Sequence, residues 1–179
     1  MEIVTKSAKT TFEIGEKIGS SVASILASSG ALVFGLTGEL GSGKTTFTQG
    51  IAKGLGIKSV VQSPTFIIVR HYPIHKLNFS SFYHIDLYRL SDKGQEYDDL
   101  GLTEIFSNPQ NFVVIEWFDK IDSYKNYLKG LIDFQVINDN QRKITFNGLH
   151  KFTWEELLRN TSPGGPASGG DSWEVTNGK

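Results

Sequence analysis

Gly38-Glu39-Leu40-Gly41-Ser42-Gly43-Lys44-Thr45 is the stretch on which the reading of this chain turns. It satisfies every position of the pattern G-x-x-x-x-G-K-[ST], and its flanks supply the context that pattern needs. Before it, Ala31-Leu32-Val33-Phe34-Gly35-Leu36-Thr37 is a continuous apolar run of the kind found in a strand covered on both faces. After it, Thr46-Phe47-Thr48-Gln49-Gly50-Ile51-Ala52-Lys53-Gly54-Leu55 predicts a helix, with Gly56 as its stop. Small residues let consecutive backbone N–H groups turn inward around phosphate oxygens. The helix N-terminus adds its own unpaired N–H groups and the positive end of its dipole. Lys44 is expected at a solvent-open position from which it reaches the β- and γ-phosphates, and the Thr45 hydroxyl suits Mg²⁺. The fixed Lys-Thr pair and the strand–loop–helix setting separate this motif from a chance glycine-rich turn. A nucleoside triphosphate is the expected ligand.

A chain of 179 residues can bury one good core, so one domain is expected. Its formal net charge of −1 gives no electrostatic basis for gripping nucleic acid unaided. It has no cysteine, which excludes disulfides, thiolate zinc sites and cysteine nucleophiles. No apolar run approaches the ~20 residues of a membrane span, and Met1-Glu2-Ile3-Val4-Thr5-Lys6 lacks a secretory signal. A reducing, cytoplasmic setting without membrane contact is the simplest expectation.

Ile14, Ile18, Val22, Ile25 and Leu26 recur at helical spacing, predicting an amphipathic helix over residues 12–28. Ser63-Pro64-Thr65-Phe66 is a polar turn leading into a strand over 67–72. A turn-rich stretch over 73–81 separates it from a second strand over 82–88, and the two could form a long-looped hairpin. A short helix is expected over 100–106, a buried strand over 112–115, a closing hairpin over 131–137 and 143–146, and a terminal helix over 154–158 with Thr153 as its N-cap. From Ser162 onward Gly, Pro and Ser dominate, so the chain divides into a folded unit, 1–161, and a flexible tail, 162–179. Trp173 within the tail is read as incidental.

A phosphate loop needs a carboxylate for Mg²⁺ or its waters, at the C-terminal end of a neighbouring buried strand. Glu116 ends the 112–115 run, as such an acid should. Asp86 lies among aromatics in 82–88, where it is either metal-facing or on a wet strand face. Thr65 is either a γ-phosphate-sensing switch residue or a turn residue favoured by local hydrogen bonds. His71, His75, His84 and His150 show no metal-ligand spacing and default to surface or packing roles. Asp98-Asp99-Leu100-Gly101 and Asp119-Lys120-Ile121-Asp122 mimic guanine-nucleotide motifs, but no strand runs into Asp98 and the interval between them is too short. ATP is favoured over GTP. Sparse arginines (Arg70, Arg89, Arg142 and Arg159) argue against the lid of a small-molecule kinase.

Several segments together resemble the TsaE family of bacterial ATPases in tRNA threonylcarbamoyladenosine biosynthesis. They are Thr11-x-x-Ile14-Gly15, the run from Leu36 through Lys44-Thr45-Thr46-Phe47, Ser63-Pro64-Thr65-Phe66, His84-Ile85-Asp86-Leu87-Tyr88-Arg89-Leu90, Leu100-Gly101-Leu102-x-Glu104-x-Phe106 and Val114-Ile115-Glu116-Trp117. The phosphate loop alone is widespread; the combination, in this order over roughly residues 5–150, is specific.

The resemblance implies a small P-loop NTPase fold of the α/β class, with a mostly parallel central sheet, antiparallel additions and flanking helices. It implies a nucleotide site built from Gly38, Glu39, Leu40, Gly41, Ser42, Gly43, Lys44, Thr45 and Thr46. Thr65 looks like the switch threonine, Asp86 like a metal-site or catalytic acid, Glu116 like the Mg²⁺-associated acid with Thr45 as a further ligand, and Trp117 like a residue beside the nucleotide; Lys44, Thr65, Asp86 and Glu116 are the implied catalytic residues. Thr11, Gln141 and Arg142 match regions near the adenine. The implied function is ATP binding and slow, Mg²⁺-dependent hydrolysis in support of TsaD and TsaB, with tRNA met through that complex. The competing expectations are a nucleotide-gated binding switch with incidental hydrolysis and a small-molecule kinase.

Overall fold

The computed structural model describes residues 1–22, 30–76, 78–90, 97, 99–148, 153–159 and 173–176. The phosphate-loop strand lies in the middle of one sheet. The strands are β1 Glu2–Thr5, β2 Leu32–Gly38, β3 Val69–Lys76, β4 Phe79–Asp86, β5 Asn111–Glu116, β6 Gly130–Val136, β7 Arg142–Gly148 and β8 Trp173–Thr176. Their order across the sheet is β3-β4-β5-β2-β6-β7-β1-β8. The centre, β4-β5-β2-β6, is parallel. Antiparallel strands extend it on both sides.

Parallel strands need cover on both faces, and the strand residues alternate accordingly. Leu32, Phe34, Leu36, Phe82, Phe112, Val114, Ile132 and Phe134 point to one face, where they pack with Ile14, Ile18, Phe47 and Ile51 of two helices. These are α1, Ala8–Val22, and α2, Lys44–Gly54. Val33, Ile85, Val113 and Ile115 point to the other, under Tyr97, Phe118, Tyr124 and α3, Leu102–Ser107. A last short helix, α4 Trp154–Arg159, carries a reciprocal cap. Thr153 Oγ1 accepts from the Glu156 N–H at 3.2 Å while Glu156 Oε2 accepts from the Thr153 N–H at 2.8 Å.

α1 and α2 cross in backbone contact. A Cβ on Gly19 would stand 2.1 Å from the Ile51 carbonyl oxygen, and one on Gly50 equally close to that of Phe12. Only hydrogen fits there, and this seam presses α2, with the phosphate loop at its head, onto the sheet.

Two expectations are corrected, and two strands appear that the sequence reading did not include. The 73–81 stretch is not a long loop, because β3 and β4 extend through most of it as a hairpin with an irregularity between Pro73 and Lys76. Pro73 is accommodated because β3 is the edge strand, where a missing N–H leaves no ladder position empty. α1 begins about a turn earlier than predicted, at Ala8, because the Ser7 hydroxyl accepts the Thr10 N–H at 3.1 Å. Ile25 and Leu26 of the predicted helix lie outside the described residues. β1 was not anticipated: Ile3 and Thr5 face inward at strand alternation and pair with β7. Within the segment read as a flexible tail, Trp173–Thr176 is a strand, antiparallel to β1. Its aromatic and β-branched residues suit a strand, and β1 otherwise offers an open edge. The rest of 162–179 lies outside the described residues.

Candidate functional site

The loop between β2 and α2 curls back toward its own helix. Gly43 precedes α2 in the left-handed region at φ 104°, and its carbonyl accepts the Phe47 N–H at 2.9 Å. Lys44 is not solvent-open as expected. It is 4% exposed, with Nζ donating to the carbonyls of Gly38 (2.7 Å) and Glu39 (2.8 Å) and 4.0 Å from the centre of the Trp117 ring. The lysine ties the loop that it also charges. Burial holds its ammonium below the ordinary lysine range, opposed by the carboxylates of Glu116, Asp86, Asp119 and Asp133.

Both acids singled out in the sequence arrive at this loop by strand register. Asp86 and Glu116 are paired residues at the ends of the parallel strands β4 and β5, so they share the face that α2 covers. They are 3% and 2% exposed. Carboxylates so buried require donors or a cation, and each has donors. Glu116 Oε2 accepts from Thr45 Oγ1 at 2.8 Å, and Oε1 is 2.7 Å from His84 Nε2. Asp86 Oδ2 accepts from the hydroxyls of Ser63 and Thr65 at 2.5 Å each, and Oδ1 from the Tyr88 N–H at 2.9 Å. Thr65 thus stands on Asp86, joining the Ser63–Phe66 turn to the strand end.

A cleft of about 350 Å³ opens between these groups, lined by residues 40–46 of the loop together with Ser63, Thr65, Asp86, Tyr88, Glu116 and Trp117. Trp117 leaves β5 with φ 63°, a conformation that turns its ring over Lys44 and against Tyr88. An adjoining cavity of about 240 Å³ is bounded by Thr11, Gly41, Gly43, Thr46 and Arg142, with Ser7 and Asn140. Arg142 is anchored to the hairpin carbonyls of Asn138 and Asp139 and reaches the Gly41 carbonyl at 3.4 Å. Gln141 does not line this cavity, and its side chain instead accepts from Asn138. Glu39 and Leu40 are exposed at the loop tip. A larger groove, about 620 Å³, lies at the far end of α2 along Phe12, Lys53, Ile57 and Val60, and it has neither carboxylates nor loop amides.

Among the described residues no three His, Cys, Asp or Glu side chains converge as a metal cage. One hydroxyl and two carboxylates facing a phosphate loop instead match the partial coordination Mg²⁺ accepts when phosphates and waters complete its shell. Sequence reasoning missed Ser63 and His84. Both had a signal: His84 is two residues before Asp86 on a strand and so faces the same way, and Ser63 opens the turn that carries Thr65.

The family model described as "Threonylcarbamoyl adenosine biosynthesis protein TsaE" matches residues 5–144. The chain belongs to the TsaE family. It is 40% identical to the Bacillus subtilis tRNA threonylcarbamoyladenosine biosynthesis protein TsaE over 71% of this chain and 78% of that one. It is 33% identical to the Treponema pallidum protein of that name over 81% of this chain and 98% of the relative. The crystal structure of Bacillus subtilis YdiB superposes with a TM-score of 0.62 at 29% identity, covering 88% of this chain and 90% of the other. The family's P-loop NTPase fold is thus the fold of this chain, with its parallel centre and antiparallel borders. No described helix is long and apolar enough to cross a membrane.

Proposed function

We propose that this chain binds ATP with Mg²⁺ and hydrolyses it slowly in support of threonylcarbamoyl transfer to the adenosine beside the anticodon of tRNA, acting in the cytoplasm with TsaD and TsaB. One observation carries the enzymatic half of this reading: Thr45 of the phosphate loop donates to Glu116 at 2.8 Å, with Asp86 in register beside it. The pathway half rests on the names of the family relatives.

Loop amides and Lys44 would hold the phosphates. Thr45, Asp86 and Glu116 would hold Mg²⁺, which neutralises charge on the phosphates when bound. The cavity between Thr11 and Arg142 is the natural seat for the adenine, since it continues from the loop at Gly41 and Thr46. A guanine-reading role for the 119–122 stretch is disfavoured. Asp119 and Asp122 are exposed, and Lys120 Nζ is engaged by the carbonyls of Tyr88 and Leu90.

Phosphoryl transfer also needs positive charge at the γ-phosphate, commonly from an arginine. Arg89 instead lies over the Phe66 ring at 4.1 Å, and Arg142 is anchored to its hairpin. This favours a partner that completes the site and disfavours a stand-alone kinase. A net charge of −1 fits contact with tRNA through the complex. We assign this chemistry to residues 1–161 and give 162–179 no part in it.

The clasp of Ser63 and Thr65 on Asp86 supports a second reading, a nucleotide-gated switch with incidental hydrolysis. Reconstitution with TsaD, TsaB, tRNA and ATP tests both. Modification should depend on this chain, and a non-hydrolysable ATP analogue should fail to sustain repeated rounds. Sustained rounds with the analogue would favour the switch, and modification without this chain would refute the pathway assignment.

A further inference from the structure

We propose that His84 is a positioning residue: it holds the Glu116 carboxylate so that Thr45 presents its oxygen, rather than its hydrogen, to the metal. The inference rests on reading the cleft as a Mg²⁺–nucleotide site. His84 is fully buried on β4, opposite Val114 of β5 and two residues before Asp86. Its Nε2 is 2.7 Å from Glu116 Oε1. Its Nδ1 is buried with no hydrogen-bond partner among the described residues.

Those two facts select a tautomer. Hydrogen on Nε2 satisfies the carboxylate and leaves Nδ1 a bare lone pair. Hydrogen on Nδ1 would bury an unanswered donor and set a nitrogen lone pair against a carboxylate oxygen. Packing alone does not explain an imidazole with one orphaned polar atom, because an apolar side chain of similar size would fill this place without that penalty. Among the described residues the ring's one polar contact is with the acid beside the phosphate loop.

That contact matters because of what the other carboxylate oxygen does. Glu116 Oε2 accepts the Thr45 hydroxyl hydrogen at 2.8 Å. A hydroxyl that spends its hydrogen on Glu116 has its lone pairs left for a cation. With one oxygen held by β4 and the other by the head of α2, the carboxylate cannot rotate. Its rotation would release the Thr45 hydrogen toward the metal position. His84 therefore acts on Thr45 through Glu116, without touching nucleotide or metal. Partners that orient metal ligands in this way are worth roughly 10–100-fold in metal affinity or activity.

The test compares His84→Leu, which keeps the volume and removes the donor, with His84→Gln, whose amide N–H reaches about as far as Nε2. ADP binding to the purified chain is measured by calorimetry across a Mg²⁺ series. In His84→Leu the Mg²⁺ needed for tight ADP binding should rise roughly 10–100-fold, with metal-free ADP affinity unchanged, and His84→Gln should recover most of the loss. Wild-type Mg²⁺ dependence in His84→Leu would overturn the proposal, as would a His84→Gln variant no better than His84→Leu. Long-range ¹⁵N–¹H NMR of the wild-type imidazole keeps the proposal testable if the leucine variant does not fold. Hydrogen on Nε2 supports it, and hydrogen on Nδ1 alone overturns it. Failure of the wild-type chain to bind ADP with or without Mg²⁺ would instead sink the nucleotide reading on which the proposal rests.

Discussion

Glu116→Gln separates the two things a buried acid can do here, support the fold or serve a cation. Glu116 is 2% exposed, and its oxygens meet His84 Nε2 at 2.7 Å and Thr45 Oγ1 at 2.8 Å. Glutamine keeps the volume and one acceptor, but turns an NH₂ toward one of these donors. Hydrogen bonds to a charge are worth about 1.5–3 kcal/mol against about 1 for neutral ones, so stability is lost. Opposing this, the charge that had to be desolvated is gone, a relief of several kcal/mol. The two are of similar size, so the melting temperature should move by only a few degrees in either direction. The metal has no such compensation. A carboxylate about 4 Å from a divalent cation, across one water, attracts it by about 2 kcal/mol even at the dielectric of bulk water. This is a lower limit for a buried site. It corresponds to roughly 30-fold in the Mg²⁺ required for tight ADP binding. Metal-free ADP affinity should equal or exceed that of the wild type, because a negative charge has left the neighbourhood of the phosphates. Calorimetric ADP titrations with and without Mg²⁺, run beside a thermal melt, read all three quantities. Unchanged Mg²⁺ dependence in a folded Glu116→Gln protein would refute the assignment of Glu116 to the metal.

Lys44→Ala should abolish measurable ATP binding by calorimetry and also loosen the loop, because Nζ ties the Gly38 and Glu39 carbonyls; near-wild-type affinity would contradict the site. Gly19→Ala should cost about 1–3 kcal/mol, lowering the melting temperature by several degrees, since its Cβ would stand 2.1 Å from the Ile51 carbonyl oxygen. An unchanged melt would show that the α1–α2 seam yields easily. Deleting residues 162–179 should lower the melting temperature slightly, through loss of the β8 pairing with β1, and leave nucleotide affinity untouched. Weakened ATP binding on truncation would place part of the tail in the site.

The phosphate loop, its strand and its helix were legible because a fixed motif sat between two strong periodicities. Glu116 was legible because a buried apolar run ended on it. Asp86 stayed ambiguous until strand register placed it beside Glu116, since alternation within one strand does not say which face is wet. The same gap hid His84, whose burial depends on α2 crossing that face. Lys44 was misjudged because the motif specifies a reach toward phosphate and says nothing of the Gly38 and Glu39 carbonyls to which Nζ donates. β1 and the edge strand β8 have four residues each, too short for periodicity to mark. The close approach of α1 and α2 at Gly15, Gly19, Gly50 and Gly54 was not read from the sequence, because it appears only when the two helices cross.

The central claim is that this chain is a slow Mg²⁺-dependent ATPase completed by its partners, and the ATPase rate with and without a TsaB–TsaD complex tests it most directly. Among the described residues no arginine lines the phosphate cleft, and an arginine supplied by a partner is worth ~10³–10⁵ in rate in related phosphoryl-transfer systems. Slow turnover alone, abolished without Mg²⁺ and strongly accelerated by the complex, is the predicted result. Fast turnover alone, unchanged by TsaB and TsaD, would contradict it.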